Sequence, residues 1–208
     1  MCGFFGIVNH DKDISFLADN VQRAIWLLSH RGPDDSGLFK SKNALLAHVR
    51  LSIIDLKHGH QPMLSHDEKK IIVFNGEIFN YKELKERLRG LGHTFRSESD
   101  TEVVLVAYEH FGEKCLEFFH GMFAFAIYDQ NNRKIFAARD RFGIKPFYYS
   151  FHKSTFMFGS EAKTFYDSDL VSFEPKEENF NEYIIFGYVA GEETLHKNIS
   201  ELEAGHYL

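Results

Sequence analysis

The sequence consists of short apolar segments that turn residues interrupt at close intervals, and no low-complexity linker separates them. Segments of this kind, rich in β-branched and aromatic residues, are typical of buried β-strands. The 22 Phe and 9 Tyr residues favour a sheet-rich interior with aromatic packing. In the second half of the chain, alternating apolar and polar positions predict a meander of strands over residues 122–128, 134–138, 147–151 and 155–158.

The first half of the chain adds further strands and a first helix. Residues 4–8 and 44–49 are apolar runs between turn residues, and we predict buried strands there. Between them, residues 15–29 carry apolar side chains at helical spacing, with Ser15 as the expected N-cap. The proline and glycines of residues 30–37 end this helix.

Two more helices are expected before the meander and one after it. Residues 81–91 carry leucines at helical spacing, and Ser99 with Glu102 forms a capping-box pattern at the start of the next helix. Residues 179–186 predict a short helix and residues 205–208 a strand. Because no repeat or linker divides the chain, we predict one α+β domain.

Charge and cysteine content argue against several classes of protein. With 24 Lys and Arg against 30 Asp and Glu, the net charge is −6 and no basic block occurs, which argues against nucleic acid as a partner. No apolar run reaches the length of a membrane helix, and the N-terminus lacks the layout of a secretory signal. The two cysteines, Cys2 and Cys115, lack the spacing of a metal site, so we expect a reduced, cytoplasmic protein without disulfides or metal.

The most reactive chemistry in the sequence lies at its start, Met1-Cys2-Gly3. Methionine removal favours a small second residue, so Cys2 can become the N-terminal residue. It would then carry a thiol nucleophile and, a few bonds away, an α-amine that accepts protons near neutral pH. The alternative is that Cys2 is a small buried apolar residue on an N-terminal strand.

Asn75-Gly76 also has two interpretations, and apolar residues flank it on both sides. Asn-Gly between two strands is the strongest short-range signal for a hairpin with a type I′ turn, and taken alone it favours that structure. In the second interpretation, the Asn75 side-chain amide and the Gly76 main-chain N–H converge on one oxyanion.

Several motifs occur together in an order that points to one family. They are Met1-Cys2-Gly3, Arg31-Gly32-Pro33-Asp34, residues 50–56, Gly59-His60-Gln61-Pro62-Met63, residues 74–81, Ser99-Asp100-Thr101-Glu102, residues 121–126 and residues 140–149. With them the chain resembles the glutamine amidotransferase domain of asparagine synthetases, the class II type with an N-terminal nucleophile. The resemblance implies a four-layer αββα sandwich of two antiparallel sheets over residues 2–208.

The resemblance also implies a mechanism. Cys2 would attack the side-chain amide of glutamine, its own α-amine would relay the proton, and a γ-glutamyl thioester would form and be hydrolysed. Asn75 and Gly76 would stabilise the oxyanion, which reverses the preference for a hairpin. No histidine is required, and core or loop roles are expected for His30, His48 and His60.

Binding of the amino-acid end of glutamine is expected from further matched positions. The resemblance assigns Arg50 to the α-carboxylate, because a guanidinium suits a carboxylate. It assigns Asp100, with Glu77 nearby, to the α-ammonium, and it places Leu51 and Ile53 in the lining of the pocket.

Other motifs keep two interpretations each. Arg31-Gly32-Pro33-Asp34 is either a plain tight turn or, as we favour, a segment that shapes the site by packing near Cys2 without touching substrate. Asp140-Arg141 and Lys145-Pro146 form either a structural corner or part of an interface with a second domain.

The resemblance finally bears on partners and cofactors. Nothing in residues 2–208 resembles the pyrophosphate-binding loop of the C-terminal domain of asparagine synthetases. We therefore expect a glutaminase domain without a cofactor of its own, which passes ammonia to a synthetase domain, in cis or in trans, that uses ATP and Mg to make asparagine from aspartate. Another amide acceptor and a homodimer stay open. The rival class is a non-catalytic glutamine-binding or scaffold domain in which Met1 remains and blocks the amine.

Overall fold

Strands and helices alternate in blocks along the chain. The computed structural model describes residues 1–168, 170–172 and 174–208. The strands are β1 (Gly3–Val8), β2 (Asp35–Lys40), β3 (Ala44–Arg50), β4 (Met63–Leu64), β5 (Lys70–Ile78), β6 (Gly121–Asp129), β7 (Lys134–Arg139), β8 (Tyr148–His152), β9 (Thr155–Gly159) and β10 (Ser200–Glu201). The α-helices are α1 (Ala18–Trp26), α2 (Tyr81–Gly90), α3 (Asp100–Phe111), α4 (Lys163–Asp167) and α5 (Phe180–Phe186).

The strands form two antiparallel sheets. The larger sheet has the order β10-β8-β9-β1-β3-β2, and the smaller has the order β4-β5-β6-β7. β5 and β6 pair along their whole length, from Lys70 opposite Asp129 to Ile78 opposite Gly121. β1 lies between β3 and β9, so the strand that follows Cys2 is central in its sheet.

Three apolar cores hold the layers together. The facing sides of the two sheets share a core that includes Phe4, Leu46, Val73, Ala126 and Phe158. The outer side of the smaller sheet packs on α2 and α3 through residues such as Phe74, Leu88, Val104 and Phe125. The outer side of the larger sheet packs on α1 and α4 through residues such as Ile7, Val21, Leu45 and Phe165. This arrangement confirms the expected α+β sandwich of four layers.

The predicted strands are confirmed in position, but they do not form a single meander. β6 and β7 belong to the smaller sheet, whereas β8 and β9 belong to the larger one. The prediction of one meander was wrong because alternation identifies strands without identifying the sheet that each strand joins. β2 was not predicted, because its sequence Asp-Ser-Gly-Leu-Phe-Lys begins with turn-forming residues.

The hairpin interpretation of Asn75-Gly76 is wrong. β5 continues through both residues, with Asn75 opposite Ala124 and Gly76 opposite Phe123. A Cβ on Gly76 would lie 2.3 Å from the Met122 carbonyl oxygen, so the glycine permits the close approach of β6. Tertiary pairing with β6 therefore overrides the local turn preference.

Two predicted helix caps differ from the structure. Ser15 does not cap α1, which begins at Ala18 after a 3₁₀ turn, and the Ser15 N–H instead donates to the Asp13 carboxylate at 2.9 Å. Ser99 does cap α3, because its side-chain oxygen accepts from the Thr101 N–H at 3.2 Å. Glu102 does not complete the capping box, because its carboxylate accepts from the main-chain N–H groups of Arg96 and Ser97.

The C-terminal elements agree with expectation in part. The short helix predicted over residues 179–186 is confirmed as α5. Residues 205–208 form only an isolated bridge, Tyr207 with Ala138, at the edge of β7.

In the described part of the chain, no helix has the length and apolar character needed to cross a bilayer.

Candidate active site

All the residues that the sequence assigned to the site line one cavity of about 180 Å³. The cavity lies beside the start of β1, the end of β3, the centre of β5 and the start of α3. The predicted residues that line it are Cys2, Arg50, Leu51, Ile53, Asn75, Gly76, Glu77 and Asp100. Positions separated by nearly a hundred residues in sequence are thus brought together, because β1 pairs with β3 in the larger sheet and that sheet packs against the smaller sheet that contains β5.

Cys2 is half-buried at the entrance to β1. Its Sγ–H donates to the Leu51 carbonyl, with a distance of 3.7 Å between sulfur and oxygen. Burial raises the pKa of the Cys2 thiol, and the main-chain hydrogen bond with Leu51 together with the positive charges of the N-terminus and Arg50 opposes that increase. The thiol therefore needs a proton acceptor to become a nucleophile at neutral pH.

Arg31 holds the main chain of Cys2. The Arg31 Nε–H donates to the Cys2 carbonyl at 2.9 Å, and Arg31 Nη1 donates to the Glu161 carboxylate at 2.8 Å. Asp34, at the end of the same motif, accepts from the Ser52 N–H at 2.7 Å and so anchors the loop after β3. The motif thus shapes the site near Cys2, as the favoured interpretation predicted, and it does not line the cavity.

Arg50 organises the loop over residues 51–59. Its side chain is buried, and Nη2 donates to the carbonyl oxygens of Ile54 at 2.9 Å and Asp55 at 2.7 Å. A Cβ on Gly59 would lie 2.2 Å from Arg50 Nη2, so glycine is required for the guanidinium to fit beneath the loop. The loop in turn presents the Leu51 carbonyl to Cys2, while Ile53 lies 71% exposed at the rim of the cavity.

Asn75 lines the cavity and has a buried amide nitrogen without a partner among the described residues. The residue is 1% exposed, and its Nδ2 group has no hydrogen-bond acceptor among the described residues. A buried N–H without a partner costs about 1–3 kcal/mol, and each such group requires an explanation. The neighbouring Phe74 is fixed by Gln61, whose side chain accepts from the Phe74 N–H at 2.7 Å. The strand therefore holds a free donor in a fixed position.

An acidic pair faces the opposite part of the cavity. Asp100, at the first position of α3, is 4% exposed, and its carboxylate accepts from the Ile78 N–H at 3.1 Å. Burial raises the pKa of Asp100 to about 6, and the nearby charge of Glu77 adds to this increase. An ammonium group between the two carboxylates would be favoured, because it would relieve their repulsion.

The three histidines singled out in the sequence lie outside the cavity. His48 is fully buried, its Nε2 bonds to the Phe74 carbonyl at 3.0 Å, and burial lowers its pKa to about 3, so it is neutral at physiological pH. His30 pairs with Glu161 at 2.9 Å and His60 with Asp35 at 2.7 Å, both in exposed positions. Core and loop roles are thereby confirmed for them.

Part of the cavity wall was not predicted from the sequence. Met1, Gln61, Thr101, Met122 and Lys145 also line it. The Gly-Ile-Lys-Pro motif was the available signal for Lys145, but neither interpretation placed it at the site. Asp140 forms the structural corner of that motif, since its carboxylate accepts from the N–H groups of Phe123, Phe142, Ile144 and Lys145.

Comparisons with known proteins agree with this geometry. A sequence model described as the glutamine amidotransferase domain matches residues 1–208. The chain is 39% identical over 210 residues to asparagine synthetase (glutamine-hydrolyzing) 1 of Bacillus subtilis, which covers 99% of this chain and 33% of that protein. It is 38% identical to a putative asparagine synthetase (glutamine-hydrolyzing) 2 of Methanocaldococcus jannaschii, over 98% of this chain and 43% of that protein. The chain therefore spans well under half the length of these relatives.

Solved structures show the same fold at lower identity. A glutamine phosphoribosylpyrophosphate amidotransferase from B. subtilis, solved with ADP and GMP, superposes with a TM-score of 0.67 at 22% identity, over 81% of this chain and 44% of the other. A structure described as the allosteric regulatory enzyme of purine biosynthesis superposes with a TM-score of 0.65 at 23% identity, over 81% of this chain and 43% of the other. Because the family's sequence model covers the whole chain, the chain belongs to the glutamine amidotransferase domain family.

Proposed function

We propose that this chain, once Met1 is removed, hydrolyses the side-chain amide of glutamine with Cys2 as nucleophile. The observation that carries the proposal is the convergence of the Cys2 thiol, the unsatisfied Asn75 amide and the Asp100 carboxylate on one cavity. Met1 also lines this cavity, so its removal would enlarge the site and free the α-amine of Cys2.

The first half of the reaction forms a thioester. The Cys2 sulfur attacks the γ-carbonyl carbon, and the thiol proton passes to the α-amine of the same residue. The Asn75 Nδ2–H and the Gly76 N–H stabilise the negative charge on the carbonyl oxygen. The ammonium then returns the proton to the departing nitrogen, the carbon–nitrogen bond breaks, and ammonia leaves.

The second half releases glutamate. A water molecule gives a proton to the α-amine and attacks the thioester carbon, with the oxyanion again held by the Asn75 and Gly76 donors. The carbon–sulfur bond breaks, and the sulfur regains the proton from the α-ammonium. No metal or other cofactor is needed in this cycle.

Substrate orientation comes from charges at the other end of the cavity. Asp100 and Glu77 would bind the α-ammonium of glutamine. The Arg50 Nη2 group is occupied by the loop carbonyls, but its Nε–H and one Nη1–H have no partner among the described residues and could bind the α-carboxylate. Leu51 and Ile53 would enclose the methylene groups.

Covalent labelling tests this proposal. A diazoketone analogue of glutamine, added to the processed protein, is expected to modify Cys2 stoichiometrically and to abolish ammonia release, and excess glutamine should protect. Cys2→Ala is the matched control and should take up no label. Intact mass that retains Met1, together with glutamine binding but no labelling, would instead support the non-catalytic binding domain.

We also propose a synthetase partner, in cis or in trans, that accepts the ammonia with ATP and Mg²⁺ and makes asparagine from aspartate. The greater length of the relatives and their names as synthetases support it. An exposed apolar surface also supports it: α5 buries none of its residues, and Ile184 is 78% and Ile185 is 71% exposed. Surfaces of this kind mark protein interfaces.

Association tests the partner proposal. With a synthetase domain supplied in trans, replacing Ile184 and Ile185 by Ser should weaken binding while glutaminase activity persists. Phe16→Ser, at another exposed position, is the control. Unchanged binding in the double variant would contradict the assigned surface, and an acceptor other than aspartate would appear as a different amide product.

Light scattering of the chain alone would report a homodimer. A free Cys2 thiol suits the reducing cytoplasm, which is the location we propose.

A further inference from the structure

Lys145 is a buried cation in the wall of the same cavity as Cys2. The residue is 6% exposed and lines the cavity, and its main-chain N–H is fixed by the Asp140 carboxylate at 3.0 Å. Within the described part of the chain, its Nζ group has no acceptor at hydrogen-bonding distance and no carboxylate at ion-pair distance. The Lys145 ammonium is therefore not committed to holding the fold together.

The surroundings of Lys145 disfavour the charged form of its side chain. Burial lowers the pKa of Lys145, and the neighbouring Arg31 guanidinium lowers it further, while Asp140, Cys2 and Glu77 oppose the decrease. An unpaired ammonium beside a second cation is destabilising unless negative charge develops nearby. Asp140 is already committed to four main-chain N–H groups.

Cys2 is the group whose charge changes during the proposed reaction. Its main chain is held by Arg31, and its thiol is buried enough that ionisation requires support from cations. The N-terminal amine, Arg50 and Asp100 act on the charge of this thiol, and the charge of Cys2 in turn acts on Lys145, which lies in the same cavity wall. Lys145 is thus placed to balance the charge of the sulfur without giving up a proton.

We propose that Lys145 is a positioning residue for the nucleophile, whose ammonium stabilises the Cys2 thiolate. The inference rests on the proposed function. The thiol proton still goes to the α-amine, and Lys145 stays protonated throughout, so no bond to it forms or breaks.

The pH dependence of Cys2 alkylation tests the proposal without requiring turnover. In processed protein, iodoacetamide modification of Cys2 is followed by mass spectrometry against pH. Lys145→Met is expected to move the profile to higher pH, and a thiol pKa raised by about one would slow alkylation about tenfold at neutral pH. Lys145→Arg, which keeps the charge, should restore most of the rate. In glutamine turnover, kcat should fall more than KM rises.

A matched control separates this role from a general effect of lysine removal. Lys176 pairs with Glu193 at 2.6 Å, outside the cavity, and Lys176→Met should leave the alkylation profile unchanged. If the pH profile of Cys2 alkylation is unchanged in a folded Lys145→Met protein, the proposal is overturned. An unchanged profile with a raised KM for glutamine would instead mean that Lys145 binds the substrate carboxylate. If the profile shifts while the diazoketone analogue fails to label Cys2, the glutaminase proposal fails but the role of Lys145 stands.

Discussion

Two regions of this molecule contain buried polar and charged groups. In one region these groups are hydrogen-bonded to each other, and in the other some of them have no partner. In the first, around the start of α3, Lys85 donates to the Ser97 carbonyl at 2.7 Å and pairs with Glu98 at 2.7 Å. Glu102 accepts from the main-chain N–H of Ser97 at 2.7 Å and from its hydroxyl at 2.6 Å. We call these residues (Lys85, Ser97, Glu98, Glu102) the paired cluster.

The cavity contains groups of the same kinds without partners. Among the described residues, Asn75 keeps a buried amide nitrogen without a partner, and Lys145, a largely buried residue that lines the cavity, has no partner for its ammonium. Buried polar groups in folded proteins are normally hydrogen-bonded, and each exception requires an explanation. The comparison indicates that the paired cluster stabilises the fold, whereas the cavity leaves the Asn75 amide nitrogen and the Lys145 ammonium free for a ligand. Substitutions in the two regions should therefore have different consequences.

The largest effect is expected at the nucleophile. Cys2→Ala should lower ammonia release from glutamine by about 10³-fold or more, because no other group can form the thioester. Its melting temperature should stay close to that of the parent, since the Cys2 side chain makes only one weak hydrogen bond to the described residues. Turnover that persists in this variant would refute the mechanism.

The oxyanion donor should give the next largest effect. Asn75→Ala is expected to lower kcat by about 100- to 1,000-fold, because one donor to the oxyanion is lost. Stability should change little, since the Asn75 Nδ2 group has no partner to lose among the described residues. The matched control is Asn80→Ala, because Asn80 bonds to the Phe118 carbonyl at 2.9 Å and to the His120 N–H at 3.0 Å. That variant should lose about 1–2 kcal/mol of stability and keep its activity.

The paired cluster should show the reverse pattern. Glu102→Ala is expected to lower the free energy of unfolding by about 3 kcal/mol, because it leaves the two buried donors of Ser97 unsatisfied and removes the acceptor of the part-buried Arg96 N–H. Urea denaturation measures this loss, and the folded fraction should retain its kcat. A Glu102→Ala protein with normal stability and impaired turnover would contradict the conclusion that the paired cluster stabilises the fold without acting in turnover.

The pH dependence of glutamine binding should show a smaller effect. Asp100 must be ionised to bind the α-ammonium, and its pKa of about 6 means that it takes up a proton below that pH. KM for glutamine should therefore rise by about tenfold per pH unit below pH 6, and Asp100→Asn should remove this dependence. A KM that stays constant from neutral pH to below the Asp100 pKa would contradict the assignment.

Protonation of Asp100 affects binding and stability in opposite directions: it weakens glutamine binding, but it stabilises the folded protein. Because the folded-state pKa of Asp100 is raised above its ordinary value of 3.8, the folded protein binds a proton more tightly than the unfolded chain. Its stabilising contribution is complete below about pH 3.8 and is lost as pH rises through about 6. Comparing urea midpoints of the parent and Asp100→Asn across this window isolates the contribution.

Local sequence predicted the elements better than it predicted their environment. β1 and α3 follow from an apolar run and from the Ser99 cap, both of which are local signals. The Asn75-Gly76 hairpin failed because pairing of β5 with β6 decides the backbone conformation there. β2 was missed because its first residues favour turns, and only pairing with β3 makes them extended.

The site shows the same division. Cys2, Arg50, Asn75 and Asp100 were found because a family motif marks each of them, not because periodicity or spacing does. Lys145 was missed although its motif was noticed, because its place in the cavity wall depends on the Asp140 corner and on the crossing between the two sheets. The free amide of Asn75 was also invisible in the sequence, since it depends on what the fold leaves unpaired.

The most direct test of the central claim is the mass of the N-terminal peptide during turnover. Processed protein is mixed with glutamine, quenched in acid within the steady state and digested. We predict a peptide that begins at Cys2, lacks Met1 and carries a γ-glutamyl group on the sulfur. Ammonia release at full rate from protein whose Cys2 never carries that group would contradict the account.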